Sequence, residues 1–256
     1  MNYNTTATHT PPDWTVIGTR ECPHCGRALD VRRIDVAGRT IESVETCPDC
    51  EAERDLRATR LAVQCRIQET RDRCGAHYAS IYASAGFARY RIEDRNRRAF
   101  EAARALVDSM VDRSLGGPRL LLLYGPAAAG KTLLAYAALN TAMRRGVRGA
   151  VVRAVSLVEA YADERFRRWL LAWPRLLLID DAGKEDLGGY LREDYQAALF
   201  EIVDRYYAAP GRGLIVTTEL PLGRLLARYP DIRDALRWRM REMSAGGAAI
   251  RIGGRP

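Results

Sequence analysis

Eight consecutive residues carry the most specific chemistry in the chain: Gly125-Pro126-Ala127-Ala128-Ala129-Gly130-Lys131-Thr132, a G-x-x-x-x-G-K-T run. A glycine-bounded loop lets successive backbone N–H groups turn toward one anion. A helix starting at its end, through Leu133, adds the positive end of its dipole. In such a cradle Lys131 is expected to reach the β- and γ-phosphates of a nucleotide, and the Thr132 hydroxyl to take a place on Mg²⁺. Composition supports this independently. Of 40 lysines and arginines, only Lys131 and Lys184 are lysine. A compact ammonium on a flexible stem is what arginine's planar fork replaces poorly.

A second acidic half is expected opposite the cradle. Leu176-Leu177-Leu178-Ile179 is an apolar run ending in Asp180 and Asp181. Asp180 would hold Mg²⁺ directly or through water. Asp181 would orient or deprotonate the attacking water. A further apolar run ends in Thr217-Thr218-Glu219. Glu219 could reach the water at the γ-phosphate, although a carboxylate beside a triphosphate is repulsive. Arg237, Arg239 and Arg241 lie on a C-terminal helical stretch, and Arg255 lies near the last residue. An arginine there could stabilise γ-phosphate charge from a neighbouring subunit. In so arginine-rich a chain, each alone also reads as a solvated surface residue.

A separate metal site is expected near the N-terminus. Cys22-Pro23-His24-Cys25 and Cys47-Pro48-Asp49-Cys50 are two C-x-x-C knuckles separated by residues 26–46. Four thiolates at this spacing suit a tetrahedral Zn²⁺. The stretches flanking Gly38 read as a short hairpin between them. A redox pair would be expected near a βαβ pattern, which is missing there. So small a segment has little apolar core, and the metal would supply much of its folding energy. Cys65, Cys74 and His77 do not continue the pattern and read as ordinary helix residues.

The elements that must position these groups follow from periodicity. Apolar runs at residues 119–124, 149–153, 175–180, 213–218 and 248–252 alternate with helical patterns at 132–145, 156–171, 192–208 and 221–243. Alternation of this kind predicts an α/β fold: a parallel sheet covered by helices. Ligands then bind beyond the carboxyl ends of the strands, where the Gly125 loop falls. Four segments are expected: a disordered tail at 1–14, a zinc ribbon at 15–55, a helical linker at 56–85 and a nucleotide-binding domain at 86–256.

The 256 residues are 47% hydrophobic and 28% charged, which admits a packed core. The net charge of +8 fits a polyanionic partner without naming one. No apolar run reaches the ~20 residues needed to cross a bilayer, and the N-terminus lacks a signal pattern, so a cytoplasmic protein with no membrane partner is expected. Cysteines there would be reduced or metal-bound.

Taken together, Gly86-Phe87-Ala88-Arg89-Tyr90, the GPAAAGKT loop, LLLIDDAG, TTEL, Leu236-Arg237-Trp238-Arg239-Met240 and Arg255 resemble the DnaC/DnaI-type helicase-loader ATPases of the AAA+ superfamily. The resemblance covers residues 86–256 and implies an AAA+ domain without a full lid. It also implies a slow, DNA- or partner-stimulated ATPase that uses ATP and Mg²⁺. Arg239 matches the trans-acting arginine, and Arg255 the second sensor. Glu219 stands where the first sensor is usually asparagine, a departure that bears on hydrolysis rate.

In such loaders the zinc module binds the replicative helicase. The ATPase domains assemble side by side, as a hexamer or spiral, around single-stranded DNA. The stretch matching the DNA-lining region holds Arg165, Phe166, Arg167, Arg168 and Trp169, where guanidinium on phosphate and aromatic on base could hold a single strand. Lys184 is a further candidate for DNA or phosphate contact. Two alternatives share these features: a transposition helper ATPase of the IstB type, and a zinc-ribbon DNA-binding adaptor whose ATPase domain is inactive.

Overall fold

The computed structural model describes residues 14–185, 191–244 and 249–253. The chain divides into two units, Met1–Ala62 and Val63–Pro256. The tail expected at 1–14 lies, but for Trp14, outside the described residues, as does Arg255.

In the first unit, β1 (Thr15–Glu21), β2 (Ala28–Val36) and β3 (Arg39–Val44) form an antiparallel sheet in that order. The β2–β3 hairpin is the one expected around Gly38. Its two turn residues, Ala37 and Gly38, both have positive φ, 51° and 75°. Such turns match the right-handed strand twist. Glycine adopts this backbone freely, whereas alanine does so against its Cβ. β1 went unread in the sequence, although Thr15, Val16 and Ile17 are β-branched, the side chains that suit a strand. Among the described residues, the buried interior of this unit is Leu29 with Cys22 and Cys47. α1 (Pro48–Cys74) begins within the second knuckle. The boundary between units falls inside it, so the segment expected as a linker at 56–85 is divided at Ala62.

The second unit is built on β4 (Leu120–Tyr124), β5 (Gly149–Arg153), β6 (Leu176–Ala182), β7 (Gly213–Thr218) and the short β8 (Ile250–Arg251). Their spatial order is β5-β6-β7-β4-β8, and all four pairings are parallel. The inner strands are buried almost throughout. This is why they read as continuous apolar runs and not as alternating ones.

Around the sheet lie α2 (Asp94–Val111), α3 (Lys131–Arg144), α4 (Leu157–Ala162), α5 (Glu164–Ala172), α6 (Leu191–Ala208), α7 (Leu222–Ala227) and α8 (Arg233–Met243). α2 opens on a capping box in which the Asn96 side chain accepts from the Glu93 N–H at 2.8 Å.

Two helices read as single are each split. Residues 156–171 form α4 and α5 because Asp163 stops the first and caps the second, accepting from the N–H groups of Arg165 and Phe166. Residues 221–243 form α7 and α8. Pro230 cannot supply a helical N–H, and the chain turns before Arg233. Periodicity survives such breaks, which is why it does not reveal them.

Residues 75–90, mostly short 3₁₀ turns, pack on α3. The Tyr78 hydroxyl donates to Asn140 Oδ1 at 2.7 Å, and Asn140 Nδ2 donates to the carbonyls of Tyr82 and Ala85. Cys74 is buried beneath them and receives the Val151 N–H at 3.4 Å. Burial pushes its thiol up to about 12, as befits an inert core cysteine. No helix among the described residues is long and apolar enough to cross a membrane.

Candidate nucleotide site and candidate metal centre

The G-x-x-x-x-G-K-T loop leaves the carboxyl end of β4 and turns into α3. Its backbone departs from ordinary geometry where an anion cradle requires it. Gly125 has φ 150° and Gly130 φ 93°, the latter left-handed at the N-cap of α3. At Gly125 a Cβ would lie 2.2 Å from the Ile252 carbonyl oxygen, so no larger residue fits. That carbonyl belongs to the residue just past β8, and the N–H of the same Ile252 donates to Tyr124 O at 2.8 Å. Ala128, at φ 58°, holds a left-handed conformation that a non-glycine residue adopts under strain.

Lys131 is buried, and its ammonium donates to Gly125 O and Pro126 O at 3.0 and 2.8 Å. The charge therefore sits inside the loop, against the carbonyls that precede the cradle. Burial holds its pKa below the usual lysine value, with Glu219 acting in the opposite direction.

β6 and β7 bring up the acidic half. The Thr132 hydroxyl donates to Asp180 Oδ1 at 3.1 Å. Residues 48 positions apart thus meet at a spacing that lets both ligate one hard cation. The Thr217 hydroxyl donates to the same Oδ1 at 2.6 Å and accepts the Asp181 N–H at 2.9 Å. Burial raises Asp180 above the ordinary carboxylate value, while the Thr217 hydrogen bond opposes the rise. Asp181 has φ 60°, a left-handed kink at the strand end that interrupts the β6–β7 register. Thr217 is the residue missed from the sequence. It was legible only as a strand residue, and nothing local says which hydroxyl will face Asp180.

Lys184 lies at this edge as well. Its Nζ is 3.2 Å from Asp181 Oδ1 and 2.9 Å from Glu219 Oε1. Lys184 holds Glu219 below the usual carboxylate value, and Glu219 holds Lys184 above the usual lysine value. Loop residues Ala128, Ala129 and Gly130, with Leu133, border a cavity of about 550 Å³. Its other wall is Tyr90, Arg91, Glu93, Arg95 and Asn96. Tyr90 stacks on Phe100 with ring centres 5.8 Å apart. Arg95 pairs with Glu93 at 2.6 Å, and its Nη1 is buried without a hydrogen-bond partner among the described residues. Of these wall residues Tyr90 stands in the Gly86–Tyr90 stretch read in the sequence, whereas no motif marks Arg91, Glu93, Arg95 and Asn96.

The remaining candidates lie elsewhere. Arg239 on α8 is held by Asp204 at 2.6 Å and stacks over Phe200, so it is not part of its own chain's phosphate loop. Phe166 is half-buried between His77 and Trp169, at 5.6 Å from each ring. Trp169 is buried and stacks on Trp173. Those aromatic faces are engaged inside the protein. Arg165 is exposed, Arg167 lies over Tyr161, and Arg168 pairs with Glu164 at 2.5 Å.

In the first unit, the Sγ atoms of Cys22, Cys25, Cys47 and Cys50 all lie within 4.8 Å of one another. Cys22–Cys50 and Cys25–Cys47 are 3.7 and 3.5 Å apart. A disulfide requires about 2.05 Å. A tetrahedron with Zn–S bonds of about 2.3 Å has edges of about 3.8 Å. The donor set therefore fits Zn²⁺ and not a bridge. The backbone N–H groups of His24 and Cys25 pull the Cys22 thiol down to about 6, while the neighbouring Cys25 and Cys22 push the Cys50 thiol up to about 12, so without a cation the cluster favours one thiolate and not four.

A five-stranded parallel sheet, a glycine-bounded phosphate loop and an acid shared with the loop threonine define a P-loop ATPase fold of the AAA+ kind. Residues 116–239 match the family described as IstB-like ATP binding protein. That stretch, within the second unit, is similar to the ATP-binding domain of that family.

Among solved structures, the chain is similar to the replication initiator DnaA bound to AMPPCP and single-stranded DNA. The two are 21% identical with a TM-score of 0.55, over 67% of this chain and 50% of that one. The DnaC helicase loader is 23% identical with a TM-score of 0.52, over 69% and 100%. DnaI is 17% identical with a TM-score of 0.53, over 70% and 93%. The chain spans about half the length of the DnaA structure it matches. Likeness at these identities shows the fold. No curated protein sequence matches significantly.

Proposed function

We propose that this protein is an ATP-dependent loader that places a replicative DNA helicase on single-stranded DNA. The observation that carries the reading is the Thr132–Asp180 contact at 3.1 Å beside a phosphate cradle. It supports a working magnesium-nucleotide site on a fold like that of the DnaC helicase loader and DnaI. In this reading the triphosphate lies along residues 125–132, with Mg²⁺ on Thr132 and Asp180. Asp181 orients the attacking water. The nucleoside lies in the cavity between Tyr90 and Leu133, where the unpaired Arg95 Nη1 gives it a donor. Arg239 acts on the γ-phosphate of a neighbouring copy once released from Asp204, and Arg255 acts as the second sensor. Copies assemble as a ring or spiral, Arg165, Arg167 and Arg168 touch the DNA backbone, and the zinc-bearing first unit docks on the helicase.

The family match at residues 116–239 favours a second reading, a transposition helper of the IstB type. One set of measurements separates the two and tests the ATPase. ATP turnover by the full chain is followed with and without single-stranded DNA, and the full chain is co-purified with the replicative helicase of its own host and with a transposase encoded beside it. The loader reading expects DNA-stimulated turnover and ATP-dependent helicase capture. Capture of the transposase alone favours the helper. Absence of turnover in all conditions leaves a DNA-binding adaptor with an inactive site.

A further inference from the structure

Only two lysines stand among the 40 basic residues, and both lie at the nucleotide site. The phosphate loop uses one. The second, Lys184, has no place in the loop's chemistry, and its position comes from the sheet. β7 runs parallel to β4 with Thr218 paired to Tyr124, so Glu219 and Gly125 leave neighbouring strands at the same level. Paired strands lie about 4.8 Å apart. Glu219 therefore flanks the phosphate cradle. On the other side Thr218 pairs with Ala182, two residues before Lys184. The turn after β6 thus delivers the Lys184 ammonium between Asp181 and Glu219, at 3.2 and 2.9 Å.

Two carboxylates facing a polyanion oppose its binding, and Lys184 is the cation the structure sets between them. The Lys184 and Glu219 side chains are 43% and 38% exposed, and such ion pairs add little stability. Stability is thus not what the second lysine supplies. A point charge with three donors on a four-carbon stem can turn from a carboxylate to a phosphate. A guanidinium fork matched to a carboxylate is held there by two parallel bonds.

We propose that Lys184 reads the γ-phosphate. It rests on Asp181 and Glu219 without a triphosphate and moves onto the terminal phosphate when one binds, which sets the preference for ATP over ADP. The inference rests on the nucleotide-site reading above. It explains how Glu219 is tolerated beside the triphosphate and frees Asp181 only when substrate is present.

The test is calorimetric titration of the full chain with Mg²⁺-AMPPCP and with Mg²⁺-ADP. The variants are Lys184→Ala, Glu219→Gln and the double variant. Loss of one charge-assisted contact weakens binding about tenfold or more. Lys184→Ala is expected to lose that much affinity for AMPPCP and less than threefold for ADP, whose retained binding reports an intact fold. In the double variant only part of the AMPPCP loss is recovered, because the Glu219 charge is gone while the contact to the γ-phosphate is still missing; full recovery, which reports charge neutralisation alone, overturns the proposal. Unchanged AMPPCP affinity in Lys184→Ala, or equal loss for both nucleotides, overturns the proposal while leaving the site intact. Absence of binding to the unsubstituted chain overturns the nucleotide-site reading and this proposal with it.

Discussion

Replacing Thr217 by valine removes a hydroxyl and keeps the shape. Thr217 is fully buried. Its oxygen makes two hydrogen bonds, one to the Asp180 carboxylate at 2.6 Å and one from the Asp181 N–H at 2.9 Å. A bond to a charged group contributes about 1.5–3 kcal/mol and a neutral one about 0.5–1.5, so the pair is worth about 2–4 kcal/mol. For a unit of this size each kcal/mol moves the thermal midpoint by about 2–4 °C. Thr217→Val should therefore melt about 5–15 °C lower, read by circular dichroism without nucleotide.

A second consequence follows from the same bond. The Thr217 hydroxyl opposes the rise that burial imposes on Asp180. Without it the carboxylate holds its proton to higher pH, and Mg²⁺ binding, which needs the charged form, fails at higher pH than in the unsubstituted protein. Titrating Mg²⁺-AMPPCP across pH measures this, and Thr217→Ser should restore both properties. A midpoint within 2 °C of the original (about 1 kcal/mol or less), with the same pH dependence of magnesium-nucleotide binding, would refute the role assigned to Thr217.

Lys131→Ala should abolish Mg²⁺-ATP binding in a fluorescent-nucleotide assay while the fold persists, because the ammonium's present partners are two loop carbonyls. Asp180→Asn should separate stability from function. Both threonine hydroxyls donate to Oδ1, which an asparagine oxygen can replace. Burial raises the Asp180 pKa, so the folded chain binds more protons than the unfolded one, and stability falls as pH rises from the ordinary carboxylate value through the raised one. At neutral pH without Mg²⁺ the asparagine variant should therefore melt higher than the original, yet bind Mg²⁺-ATP weakly. Chelation of Zn²⁺ should unfold the sheet of the first unit, whose buried core is Leu29 with Cys22 and Cys47. Loss of one zinc per chain, measured with a metallochromic dye, should accompany a loss of strand signal in circular dichroism.

Sequence legibility differed between the two halves of the nucleotide site. The phosphate loop lies within eight consecutive residues, and its geometry follows from glycines, a lysine and a threonine at fixed spacing. The four cysteines were equally legible, because two knuckles bring thiolates together with little help from the rest of the fold. Strands β4 to β7 were visible as apolar runs because a covered parallel sheet buries both faces, whereas β8 is a two-residue strand with Arg251 exposed. The splits at Asp163 and near Pro230 were not, since apolar spacing continues across them.

What the sequence by itself determined was local: which residues can turn, cap, ligate or carry charge within a few positions of one another. Tertiary structure alone decided which of these meet. Strand order β6-β7-β4 sets Asp180, Thr217 and Thr132 around one oxygen and puts Lys184 beside Glu219. Strand order also depends on how whole elements bury their faces against each other, and no window of the sequence contains that information. The same holds for Phe166, an aromatic beside arginines in sequence that the fold packs against His77 and Trp169.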